Sequence, residues 1–260
     1  MLRPRIIPSL LINEGALVKT INFANEKYLG DPLNTVRIFN EKEVDELIIS
    51  DISATTNKSE PNYQLISDIA SECRMPICYG GGIKNISHIE KIISLGVEKV
   101  ALSSAAINNP ELIRDASNIL GSQSIVVVLD MKKSGIFKNK FRIYTHRGKK
   151  LFKENPINLI KKIQELGAGE LVINSIDKDG TRTGYDHELI SYVKEHIKIP
   201  LTIIGGCDNK YDMKSAIEKF GLLGLGAGSL FVLKGKYRAV LIQYLNTKEK
   251  NFIFSSINLI

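Results

Sequence analysis

Three carboxylates stand where short apolar runs end or turn: Asp51 after "ELIIS", Asp130 after "SIVVVL", and Asp179 inside "SIDKDGTRTGYD". A carboxylate at the end of a buried strand can carry a proton to and from a substrate, or can order the following loop through hydrogen bonds. Asp130, which ends its apolar run directly, reads as the proton carrier. For Asp51 both roles stay open, and Asp179 is a supporting candidate. Two glycine clusters, Gly80-Gly81-Gly82 and Gly205-Gly206, are each followed by a small-residue turn, Ser103-Ser104-Ala105 and Gly226-Ala227-Gly228-Ser229. Small residues let backbone N–H groups close on an anion, and a helix start adds its positive dipole end. One such pair often serves geometry alone. Two pairs predict a ligand with a phosphate at each end, held by Gly81, Gly82 and Ser104 on one side and by Gly205, Gly206, Gly228 and Ser229 on the other. Lys19, in a loop after the first apolar run, is either a phosphate partner or a solvated lysine.

A second charged set lies at the other ends of these runs. Arg5, Glu46, Lys99 and Glu170 fall at or near the starts of four of them. If those starts converge, two cations and two anions meet where charge is costly unless paired. Such a ring either plugs one end of the fold or gates an axial passage, and spacing alone favours the plug. Among the histidines, His88, His187 and His196 sit on helical patterns and read as surface residues, while His146 is open. Cys73, Cys78 and Cys207 share no metal-ligand spacing and read as free thiols of a reducing cytoplasm, with no metal and no cofactor implied.

The elements that must position these groups follow from the apolar pattern. Candidate strands rich in Ile, Val and Leu cover Arg5–Leu11, Glu46–Asp51, Pro76–Tyr79, Lys99–Leu102, Ser124–Asp130, Glu170–Asn174, Pro200–Ile204 and Leu222–Leu225. Amphipathic helical patterns lie between them, including Asn62–Cys73, Pro110–Leu120, Pro156–Leu166, Lys210–Phe220 and Lys236–Leu245. Asn before Pro110 and Pro156 marks helix starts, and Gly96 and Gly167 mark helix ends. Eight such units predict an α/β fold, a (β/α)8 TIM barrel, with a doubly wound sheet as the runner-up. The chain also repeats: "MPICYGGGIKN" at Met75–Asn85 aligns with "IPLTIIGGCDN" at Ile199–Asn209, and "DELIISDIS" with "GELVINSID". We read one domain over 1–250, two half-barrels of about 1–122 and 123–250 with pseudo-twofold symmetry, and a tail at 251–260.

A chain of 260 residues with 43% apolar and 24% charged residues can bury a full core, which excludes disorder. No apolar run reaches the length of a membrane span, and no cleavage site follows the opening residues. The net charge of +7 is spread without an aromatic-interleaved stripe, which argues against nucleic acid and for anionic small molecules.

Taken together, "RIIPSLL", "LVKTINF", "GDP", "DELIISDI", "YGGGIK", "LGVEKVALSSAA", "GSQSIVVVLD", "GAGELVINSIDKDGT" and "GGCDN" resemble HisF, the cyclase subunit of imidazole glycerol phosphate synthase, from about residue 3 to 245. The resemblance implies a barrel that docks a HisH-like glutaminase on its bottom face, with Glu98 and Lys99 near the centre of contact. It also implies that ammonia passes up the barrel to a phosphorylated substrate, that the two glycine pairs are phosphate sites, and that Arg5, Glu46, Lys99 and Glu170 form the ammonia gate. That reverses the plug reading. Two departures stand out. Leu11 occupies the place of the family's first catalytic aspartate, and "ALSSAA" with Ile204 replaces family residues at the phosphate turns. Several segments, among them "LVKTINFANEKYLGDP" and "GSLFVLKGKYRAVLI", look more like a diverged HisF-like branch encoded with surface-polysaccharide genes. That branch implies delivery of ammonia, with an ATP-dependent sugar amidotransferase, for amidination of an N-acetylated nucleotide sugar. The alternatives are a histidine-pathway cyclase/lyase and a non-catalytic scaffold that activates a glutaminase.

Overall fold

The computed structural model describes residues 4–134 and 141–255. Its centre is a closed ring of parallel strands: β1 (Arg5–Asn13), β2 (Leu47–Asp51), β3 (Ile77–Gly80), β4 (Lys99–Leu102), β5 (Ile125–Lys133), β6 (Glu170–Ser175), β7 (Leu201–Ile204) and β8 (Gly224–Ala227). Each pairs with the next, β5 joins β6, and β8 returns to β1, so no edge is left open. Helices cover the outside, and the chain is the expected (β/α)8 TIM barrel. Ile, Val and Leu dominate because these strands are buried on both faces. No described helix is long and apolar enough to cross a membrane.

Two cores result. A large one packs strands against helices, and a separate small one fills the barrel axis with Ile7, Ile48, Cys78, Ala101, Val126 and Val172. Strand β8 presents glycines to that axis: a Cβ on Gly224 would lie 1.9 Å from Thr202 Oγ1, and one on Gly226 would lie 2.5 Å from Ile204 Cγ1. Residues of β7 therefore lean into space that β8 leaves free.

At the carboxyl ends, β1 and β5 each continue into a hairpin. The first adds the antiparallel strands Ala16–Ile21 and Ala24–Gly30, and the second adds Phe141–Thr145 and Lys150–Phe152. Arg147 of the second is ion-paired to Glu26 of the first, which ties the hairpins together.

Most helix starts behave as the sequence indicates. Asn155 caps the helix Pro156–Glu165, with proline in its first turn. Helix Glu111–Leu120 instead begins one residue after Pro110, without a side-chain cap. Gly96 and Gly167 adopt φ of +100° and +94°, the left-handed ends expected of them. The helix expected over Lys236–Leu245 does not form. Gly235 and Arg238 turn left-handed, and Leu233–Lys234 pairs back on Ala239–Val240. The last helix is Thr247–Phe254, fixed by the Asn246/Glu249 capping box, and it buries Ile253. The expected boundary at 250 thus falls inside a packed helix, and 256–260 lie outside the described residues.

The free space along β8 generates a prediction. Gly224→Ala drives a methyl group into Thr202 and lowers unfolding free energy by about 1–3 kcal/mol; an unchanged denaturant midpoint would contradict this packing.

Candidate active site

A cavity of about 560 Å³ opens at the carboxyl ends of the strands, on the side of the first half-barrel. Its floor is the top of the axial apolar core: Ile48, Ala101 and Val172 line both. Asp130, Leu11 and Asn174 stand just above that floor, and Gly81, Gly82 and Ser104 form one wall.

Asp130 faces this cavity but is walled by protein. Burial pushes its carboxyl up to about 7, while a hydrogen bond from Asn174 Nδ2 (3.0 Å) acts in the opposite direction and the Asp179 charge adds a small upward push. A carboxyl that titrates near neutrality suits proton transfer. Leu11, on the same cavity wall, has no proton to exchange. Asp51 lines the cavity too, but its Oδ1 is spent as a cap. It accepts from Ser53 N (2.9 Å), Ser53 Oγ (2.6 Å) and Ala54 N (3.1 Å), and so starts the short helix Ile52–Thr56. Of its two open roles, loop order is the one these contacts account for.

Lys19 and Asp179 form a buried pair instead of two independent site groups. Lys19 Nζ donates to Asp179 Oδ1 at 2.6 Å, and Thr20 Oγ1 donates to Oδ2 at 2.8 Å. Lys19 is 6% exposed, so the solvated-lysine reading is corrected. Its stem lies over the second glycine pair, where a Cβ on Gly228 would sit 3.0 Å from Lys19 Cε. Gly205, Gly206, Gly228 and Ser229 line a small cavity of about 40 Å³ beside it, and the buried Ser229 Oγ has no hydrogen-bond partner. The two glycine pairs are thus unequal. The first opens into a large cavity, and the second is covered by Lys19.

At both pairs the glycines also answer backbone demands. Gly81 at φ +130° lies where a Cβ would meet Asp51 O at 2.6 Å, and Gly205 at φ +105° lies where one would meet Ser175 O at 2.8 Å. Asp51 and Ser175 occupy matching positions of the repeat, as do Gly81 and Gly205.

At the opposite end the four charged residues do meet. Arg5 bonds Glu46 and, through Nη2, Glu170 Oε1 at 2.7 Å; Lys99 Nζ bonds Glu46 at 2.9 Å and Glu170 at 3.0 Å. Each cation touches both anions, so the ring is closed and neutral. Thr202 Oγ1, fully buried, adds a hydrogen bond to Glu170 at 2.5 Å. Burial disfavours every charge here, but the hydrogen bond and field of Arg5 hold Glu170 below its ordinary 4.5. Burial likewise opposes the Lys99 charge, yet Glu170 and Glu46 hold it above its ordinary 10.5. Glu170 and Lys99 therefore keep their charges throughout the range between those values. Each ring residue lies two positions before an axial apolar residue on its strand: Arg5 before Ile7, Glu46 before Ile48, Lys99 before Ala101, Glu170 before Val172. At about 3.3 Å per residue, this apolar layer stands roughly 6–7 Å along each strand above the ring.

Sequence reasoning missed several residues here. Asn174 becomes visible only through the β5–β6 register that sets it beside Asp130. His88 is 8% exposed, with Nδ1 3.4 Å from Gly82 O, so its expected surface place is corrected. The signal was its spacing with Ile89 and Ile92 on the buried face of Ile86–Ser94. His146, left open above, lines the large cavity beside Arg147, both at left-handed φ.

The ring generates a stability prediction. Lys99→Met leaves Glu46 and Glu170 sharing one cation and costs about 3 kcal/mol in denaturant unfolding at neutral pH. A cost under about 0.5 kcal/mol would mean that the ring contributes nothing to the fold.

Comparison with known proteins agrees with this geometry. A family profile described as histidine biosynthesis protein matches residues 5–238. A Leptospira borgpetersenii protein named putative imidazole glycerol phosphate synthase subunit HisF is 51% identical over 254 residues, covering 98% of this chain and 100% of its own. A Vibrio vulnificus protein named putative imidazole glycerol phosphate synthase subunit hisF3 is 52% identical over 250 residues, 96% of each chain. The Dehalococcoides mccartyi imidazole glycerol phosphate synthase subunit HisF is 36% identical over 249 residues, 95% of this chain and 97% of that one. On that coverage, the chain belongs to the histidine biosynthesis protein family, among its HisF-type imidazole glycerol phosphate synthase subunits.

Proposed function

We propose that this barrel receives ammonia at its base and delivers it to a phosphorylated acceptor at its mouth, as a lyase/cyclase-type subunit of a glutamine-dependent complex. The observation that carries the reading is the neutral four-charge ring set one apolar layer below the cavity floor. One pair of the ring must part to admit a molecule, and the apolar layer above passes a small neutral molecule more readily than an ion. The glutaminase is of the HisH type and docks on the bottom face, where Glu98 is exposed next to the partly exposed Lys99. The work is that of a soluble complex in the cytoplasm. No nucleic acid takes part.

The acceptor has two readings. The names carried by the relatives favour the imidazole glycerol phosphate synthase reaction of histidine biosynthesis, with Asp130 as the acid/base group and the glycine pairs as phosphate sites. Gly81, Gly82 and Ser104 in the large cavity take one phosphate. The other reaches Gly205, Gly206, Gly228 and Ser229, with the free Ser229 hydroxyl as a donor, once Lys19 turns from Asp179 toward the anion. Leu11 favours the second reading, amidination of an N-acetylated nucleotide sugar with a separate ATP-dependent amidotransferase, because one carboxylate suffices for a conduit. A pure scaffold would have no use for a carboxyl poised near neutrality.

Turnover of the histidine-pathway intermediate driven by ammonium salts separates the two. The first reading expects turnover that rises with pH through about 7, as Asp130 loses its proton, and that falls roughly 10²–10⁴-fold in Asp130→Asn. No turnover by the intact complex, with amidination of the sugar in its place, would establish the second.

A further inference from the structure

Asn174 has two faces, and only one is used. Its Nδ2 donates to Asp130 Oδ1 at 3.0 Å, while its Oδ1 is buried without any hydrogen-bond partner. That oxygen lies on the side of Gly205, where a Cβ would come within 3.4 Å of it. The residue lies on the rim shared by the large cavity and the small one, directly above Val172 of the axial core. Its partner in the repeat, Ser50, lines the same large cavity.

We propose that Asn174 is the positioning residue for Asp130, its amide N–H aiming that carboxylate into the cavity and favouring the ionised form.

A charge-assisted hydrogen bond from Nδ2 favours the ionised form of Asp130, against the burial that favours its neutral form. The remaining charged groups that line the large cavity are Asp51, Lys58, Lys84 and Arg147, with His146 as the other titratable one. None of these has a hydrogen bond to Asp130; beyond them the Asp179 carboxylate, paired with Lys19, adds a small upward push.

The test is titration of the Asp130 carboxyl by 13C NMR in selectively labelled protein, comparing wild type with Asn174→Leu and the smaller Asn174→Ala. The expected result is a midpoint about one pH unit higher in the variants, a tenfold weaker acid. Asn174→Ala serves should the leucine variant fail to fold, and the melting temperature verifies the fold of each. An unchanged midpoint in a folded variant overturns the positioning role.

Discussion

The structure depends on keeping four charges inside the end of a barrel without leaving any of them alone. Glu46 and Glu170 are 3% and 5% exposed, and each could stay ionised there only with cations on both sides. Arg5 and Lys99 supply that by alternating with them around the ring. The arrangement constrains the fold above it. Four strands must start at matching heights, and the next inward residue on each is apolar. Strand β8 brings no side chain to this level, and Thr202 fills its place with a hydroxyl turned toward Glu170. The base is therefore polar and closed, and the axis above it is apolar.

The mouth is built on a different rule. The two half-barrels repeat their strand ends, and Glu46 and Glu170, like Gly81 and Gly205, hold equivalent places. Yet one side opens into a cavity of about 560 Å³ and the other into about 40 Å³. Lys19 makes the difference, because its bond to Asp179 lays the first hairpin over the second glycine pair. A symmetric frame thus carries an asymmetric site, with Asp130 near the boundary between the sides.

The sequence made the barrel legible because buried parallel strands need Ile, Val and Leu in short runs, and the repeat marked which strand ends correspond. The ring residues were legible for the same reason: they are charges placed at the starts of apolar strands. Asn174 was not, since an asparagine inside "LVINS" acquires meaning only when β5 and β6 are in register. Lys19 and Asp179 lie 160 positions apart, and no local pattern links them. The C-terminal helix was misplaced because "GKYR" is a turn whose left-handed Arg238 has no signature of its own, whereas the Asn246/Glu249 capping box was present but overlooked. Leu11 was legible through family resemblance, and the structure adds that it shares a cavity with Asp130.

The ring, the apolar axis and the Asp130 carboxyl form one path only if nitrogen travels along it without mixing with solvent. The direct measurement supplies the complex of this barrel and its glutaminase with glutamine labelled with 15N in the side-chain amide, in a large excess of unlabelled ammonium, and reads the isotope in the aminated product. The account predicts product that keeps nearly all of the label. Product carrying the isotope ratio of the surrounding solution would contradict it.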